Sequence, residues 1–209
     1  MTTDRDDETD VSQNLAFVRA LVSEGGRAQL SGGALFMVAG LVYGLQCIVQ
    51  WAGAIGFIYL GLVGNLIAGT LPTVVFILAV IWVAWRDRGL KPKGVGTRAL
   101  NAAFGSAGLT NLFMAFVFGY NAIRHDSLAI WLYYPAVVCA LQGAAWYIAH
   151  MIRKQLWLAL VSAGWFVTTV ALGVLIDSPN TYVLVLGFAL ILLMGGSGYA
   201  MVRMAKRES

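Results

Sequence analysis

Long apolar runs separated by short polar breaks dominate the chain from residue 30 onward. A bilayer core of about 30 Å takes about 20 helical residues to cross. Six stretches reach that length: Ser31 to Trp51, Leu62 to Trp85, Asn101 to Ile123, Leu128 to Ala149, Leu156 to Ile176 and Thr181 to Val202. The segment Ala54 to Gly61 is apolar but Gly-rich. It reads either as a short interfacial turn or as an early start to the second span.

Ahead of these runs the pattern differs. Met1 to Asp10 holds Asp4, Asp6, Asp7, Glu8 and Asp10, an acidic tail with too little apolar surface to fold. From Val11 to Glu24, Val11, Leu15, Val18, Leu21 and Val22 share one helical face, with Ser12, Gln13, Arg19 and Ser23 opposite. That is an amphipathic helix at 3.6-residue periodicity, stopped by Gly25-Gly26. It has too few apolar residues to span, and is expected to dock on its own bundle or lie in the interface. The predicted fold class is all-α, an integral membrane six-helix bundle with a short N-terminal amphipathic helix. Its parts are an acidic tail (1–10), the amphipathic helix (11–30), a six-span domain (31–203) and a cytoplasmic tail (204–209).

Composition supports the membrane expectation. Hydrophobic residues make up 59% and charged residues only 11%, against roughly 25% charged in soluble domains. The net charge of +4 carries no nucleic-acid signal, because the basic residues sit in short loops between apolar runs and read as orientation signals. Every Lys and Arg except Arg124 falls in the N-terminal segment, the loops after spans two and four, or the C-terminal tail. In a six-span chain those segments share one side, so the positive-inside rule puts both termini in the cytoplasm. Trp51, Trp82, Trp85, Trp131, Trp146 and Trp157 fall near predicted span ends, where interfacial Trp belongs, while Trp165 lies mid-span. The first thirty residues lack a signal peptide's basic start and apolar stretch, so the first span is expected to direct insertion itself. Arg outnumbers Lys by 10 to 4 and Ala, Gly and Val abound, which suggests a GC-rich bacterial source and hence the cell inner membrane.

Chemistry is sparse. No Asp, Glu, Lys, Arg or His lies deep in a predicted span. Proton relays, ion-coupled transporters and voltage sensors depend on such groups, so those classes are disfavoured; a path for a neutral solute is not. His125 and His150 bracket the fourth span. Twenty-five residues of helix separate them by about 37 Å, too far to share a haem. Cys47 and Cys139 lie in apolar runs, read as small hydrophobes, and cannot build a zinc site alone. Gly94-Val95-Gly96 lacks the preceding strand and following Lys-Ser/Thr of a phosphate loop. No catalytic residue, metal or cofactor is therefore expected.

The remaining candidates are polar, small or basic. The span amides are Gln46, Asn65, Asn111, Asn121 and Gln142. Asn111, beside Thr110, is near mid-depth, and Gln142 of the next span is its expected partner. Such amides most often bond between helices, at about 0.6 kcal/mol each. Gly40 and Gly44 form a GxxxG pair, Gly105 and Gly108 open span three, and Gly195, Gly196 and Gly198 cluster in span six. These are candidate helix-packing positions, within one subunit by default or in a dimer. Pro72 and Pro135 sit at similar depths and are expected to bend their helices. Arg86, Arg88, Lys91, Lys93 and Arg98 form a basic loop. It serves topology first, and lipid headgroups or an acidic partner second. Leu35-Phe36-Met37 recurs as Leu112-Phe113-Met114, too short a match to establish a repeat. The expected function is that of a non-catalytic accessory or regulatory subunit acting through helix contacts. Its partners would be lipid and a membrane protein or a second copy. The alternative is a small permease or channel for a neutral or lipidic solute.

The charge asymmetry generates a topology prediction. Reporters fused after Lys91 and after Glu208 should both read cytoplasmic, and one after Asp177 extracytoplasmic; any other pattern would mean that the spans are miscounted.

Overall fold

The computed structural model describes residues 30–88 and 95–208. The acidic tail, all of the predicted N-terminal helix but its last residue, and Lys91 and Lys93 lie outside them. The described chain is all-helical. In order it forms α1 (Leu30–Ala54), α2 (Leu62–Arg86), α3 (Val95–Arg124), α4 (Leu128–Arg153), α5 (Leu156–Val174), α6 (Pro179–Ala189), a π-turn (Leu190–Gly195) and α7 (Gly196–Glu208). The last three elements run continuously, so six helical segments are long and apolar enough to cross a membrane, the sixth being Pro179–Arg207.

Starts at Leu62, Leu128 and Leu156 coincide with the apolar pattern. Three boundaries differ from it. α3 begins at Val95 rather than Asn101, because Thr97, Arg98 and Ala99 continue the helix down to the buried Leu100. Arg98 is therefore helical. The sixth segment begins with Pro179 in its first turn, where the missing N–H costs nothing. It then continues to Glu208, so residues predicted as a separate tail belong to the same helix. Between α1 and α2 the chain turns rather than starting the second span early. Gly56 adopts φ +77°, open to glycine at little cost, and Phe57 and Tyr59 are exposed. Lys154, left-handed at φ 56°, closes α4 and lets α5 start after a two-residue connection.

α4 is the central helix, packed along α3 on one side and α5 on the other. It supplies Leu132, Ala136, Cys139, Trp146 and Ala149 to the core, facing Leu158, Trp165 and Leu172 of α5 and Tyr182 of α6. The Ser162 hydroxyl donates to the Gly143 carbonyl at 2.8 Å, and the Tyr182 hydroxyl donates to the Leu132 carbonyl. Trp146, near a span end in the sequence, points into the bundle rather than outward. It is 1% exposed, and its ring meets Phe36, Phe104 and Trp157 at 5.3–5.9 Å. Helices from three directions close over this end of α4, so position along the helix does not by itself reveal the burial.

α1 lies antiparallel to the sixth segment at backbone distance. Gly33 faces Gly198 and Met201, Gly40 sits on the π-turn at Leu190 and Gly195, and Gly44 faces Gly187 and Ile191. A Cβ on Gly40 would stand 2.7 Å from the Leu190 carbonyl oxygen, and one on Gly187 would stand 3.0 Å from Cys47 Cβ. Only glycine lets helices this close. Gly105, Gly108 and Gly196 have nothing within 4 Å and pack no helix among the described residues.

α2 and α3 are peripheral. α2 leans on α1 through Tyr43–Phe76 (5.8 Å between ring centroids) and an Arg86–Ser31 hydrogen bond of 2.6 Å. Only Pro72 and Val83 of α2 are buried. In the most apolar stretch of α3 no residue is buried.

The glycine contacts carry a stability prediction. Gly40→Ala should destabilise the detergent-solubilised protein by about 1–3 kcal/mol through overpacking, whereas Gly105→Ala should leave its thermal midpoint unchanged or slightly higher. Equal effects at the two positions would contradict the packing.

Candidate functional site

The described helices hold their charged side chains at their ends, so polar chemistry inside the bundle falls to amides, hydroxyls and indoles. Among the described residues, four buried side-chain atoms find no hydrogen-bond partner: Asn111 Oδ1 on α3, Gln142 Oε1 and Trp146 Nε1 on α4, and Trp165 Nε1 on α5. Their depths follow from neighbouring contacts. Phe104 touches Trp146, and Gly119 lies against Trp131; α3 is thus antiparallel to α4, with Asn111 level with Cys139. Gln142 lies about 4–5 Å further along α4. The Gly143–Ser162 bond puts Trp165 level with Ala140. Phe36 on Trp146 brings Gly40, and with it the π-turn, level with Gln142. A neutral polar layer thus crosses the middle of the bundle, with the Trp146 N–H one turn below.

The layer contains two carbonyl acceptors and two indole donors, none able to ionise near neutral pH. It can hold or pass neutral hydrogen-bonding groups, and among the described residues no group of three or more His, Cys, Asp or Glu gathers around it. A buried polar atom left unpaired costs about 1–3 kcal/mol, so each needs a reason. The π-turn is a second irregularity at the same level. Such turns are frequent at functional sites because the extra residue widens the helix and re-aims its side chains.

The expected Asn111–Gln142 hydrogen bond is not formed. Asn111 does face into the bundle, but its side chain reaches toward the Tyr134 hydroxyl. The α3–α4 register sets Asn111 opposite Cys139, and Gln142 is left without it. Gln46 reaches Gly69 O across α1 and α2 at a long 3.4 Å. Asn65 bonds Leu60 O at 3.0 Å and Asn121 bonds Val117 O at 2.8 Å, both locally. Thr110 is half-buried. Gln46 also lines an apolar groove of 290 Å³ between α1 and α2, with Val42, Leu45, Ile67, Leu71 and Pro72. Pro72 is buried there, whereas Pro135 is half-buried in α4. His125 lies in the loop before α4, and His150 in its last turn, its Nδ1 3.0 Å from Gln155 O. Of the basic group, Arg86 pairs with Asp87 at 3.1 Å, Arg88 stacks on Trp85, and Arg98 is exposed in the first turns of α3.

Sequence reasoning did not single out the two indole N–H groups. Trp165 carried a signal, since it alone among the seven tryptophans fell mid-span; Trp146 carried none. No protein family matches the chain, and no curated protein or solved structure matches it either.

Because Gln142 Oε1 has no donor, replacing the amide removes an unpaired group. Gln142→Met should match or exceed the wild-type stability, with a gain up to about 1 kcal/mol in detergent unfolding. A loss of that size would show that the amide is hydrogen-bonded in solution.

Proposed function

We propose that the protein is a multi-pass protein of a bacterial inner membrane, with both termini cytoplasmic, that works as an accessory subunit docking another membrane helix on α3. The observation that carries this reading is a mismatch between polarity and burial. α2 is the most apolar of the six segments and is suited to lipid; α3 is the least apolar and yet has no buried residue in its best apolar stretch. Its outward stripe runs Ala102, Gly105, Ser106, Leu109, Leu112, Phe113, Phe116 and Tyr120, all exposed. The first three are small, and the last two rings stack at 6.5 Å. In the sixth segment Gly187, Gly195 and Gly198 are covered by α1, whereas Gly105 and Gly108 have open space. Small residues on a helix favour close approach of a second helix, and offer lipid tails little. The occupant that fits is one helix of a partner membrane protein, lying close at Gly105 and widening over Phe116.

Photocrosslinking in native membranes tests this. A photoreactive residue at Leu109 should give one discrete adduct with a larger partner, lost when Gly105→Leu is added although the thermal midpoint holds. The same probe at Leu66 on α2 should give no discrete adduct. A doubled-mass adduct would mean self-association instead, and adducts indifferent to Gly105 would overturn the docking face.

The neutral polar layer favours a second reading, a small permease for a neutral or lipidic solute. Under it, Gln142→Met folds normally but stops solute flux in proteoliposomes.

A further inference from the structure

We propose that the Arg-bearing end of α2 holds the headgroup of an anionic phospholipid, with Arg86 and Arg88 meeting its phosphate and Trp82 and Trp85 lying along its glycerol backbone. This rests on the membrane reading above but is independent of docking at α3.

The geometry is local to the segment from Trp82 to Arg88. Trp82 precedes Arg86 by four residues, and the Arg86 guanidinium carbon lies 4.9 Å from its ring centre. Trp85 precedes Arg88 by three, with a matching distance of 5.3 Å. Both rings are unclaimed by protein, at 59% and 65% exposure. Stacking on an indole holds a guanidinium by its face and leaves its N–H edges free to donate. Arg86 spends its Nε on Asp87 and its Nη2 on Ser31, which fixes its direction and leaves further donors. Arg88 forms no ion pair with a carboxylate among the described residues. A guanidinium stacked in this way presents paired N–H groups that suit the bidentate hydrogen bonding that phosphate oxygens accept.

Charge on the surrounding face agrees. α1 and α2 are antiparallel, as the Arg86–Ser31 bond shows, and the contacts of α3 to α7 continue the alternation. Arg98, Lys154, Arg203 and Arg207 therefore stand at the same end as Arg86 and Arg88. The opposite end carries Arg124 against Asp126 and Asp177. The C-terminal end of α2 itself opposes an anion with roughly half a negative charge; Arg86 and Arg88 less the Asp87 carboxylate leave one net positive charge, which outweighs it.

A lipid fits better than a free phosphate. α2 is nearly unburied below this point, so acyl chains have a bare helix to lie on. Exposed Trp beside Arg at a helix end is the arrangement found at the headgroup level of membranes.

The full-length chain is reconstituted in nanodiscs of phosphatidylcholine alone, or of phosphatidylcholine with a third phosphatidylglycerol. Thermal midpoint and lipid retained after re-extraction are then read. Phosphatidylglycerol should raise the midpoint and be retained preferentially. Arg88→Gln should weaken that retention about fivefold, and Arg86→Gln with Arg88→Gln should abolish it. Arg203→Gln with Arg207→Gln should leave most of it. No preference for phosphatidylglycerol, or a preference that the Arg88 variant keeps, would overturn the site. Inorganic phosphate reproducing the shift in phosphatidylcholine discs would show a soluble-anion site and overturn the lipid. A chain that enters no disc would sink the membrane reading as well, whereas one that enters and ignores phosphatidylglycerol sinks only this inference.

Discussion

Backbone lies almost on backbone where α1 crosses the sixth helical segment, and the arrangement of the other helices depends on that approach. Gly33, Gly40 and Gly44 fall on one face of α1 and meet Gly198, the π-turn and Gly187 in turn. Apolar side chains gain little by leaving lipid for one another, so helices in a membrane associate through close contact of small residues. With α1 drawn in, Phe36 reaches Phe104 and Trp146, and the aromatic group at that end of α4 closes. The π-turn belongs to the same contact. It places Leu190 O and the Gly195 backbone under Gly40, where a larger residue at Gly40 would hold the two helices apart.

Around that seam the bundle divides into covered and uncovered helices. α4, α5 and the sixth segment bury their facing sides, while α2 and α3 remain at the edge. The two edge helices differ in kind. α2 is strongly apolar and ends in paired Arg and Trp, which suits a helix solvated by lipid. α3 presents Gly105, Ser106 and Gly108 outward, which suits a helix that meets another. The proposed partner contact and the proposed lipid contact therefore sit on different helices and can be disturbed separately.

Inside, the polar layer at Asn111, Gln142 and Trp165 is neutral throughout. Its unpaired atoms are an energetic liability that a purely structural core would avoid by using Leu or Phe. This keeps the solute-path reading in view beside the docking one. Substitution of Gln142 separates the two, because folding and flux then respond differently.

Much of the architecture was legible from the chain. Apolar runs interrupted by Gly, Pro and charge marked the six segments, because a helix in an apolar medium must satisfy its own backbone and so needs an unbroken run of fixed length. The start at Leu62 and the confinement of charge to helix ends follow from composition along the line, whereas the segment Ala54 to Gly61 stays open between a turn and an early helix start until the positive φ of Gly56 decides it. Which face of a helix meets which neighbour does not, because hydrophobicity is nearly uniform around a helix with apolar surroundings on all sides and leaves no stripe to read. Gly40 and Gly105 look alike as sequence; only the packed bundle covers the first and leaves the second open. Trp146 sits near a span end in sequence and in the core in space, and Asn111 turned to Tyr134 rather than Gln142. The sequence by itself determined the number and alternation of the helices, since these depend on runs of residue type. Only the tertiary structure decided the neighbours, the glycine seam and the unpaired polar layer, since these depend on the rotation and register of one helix against another.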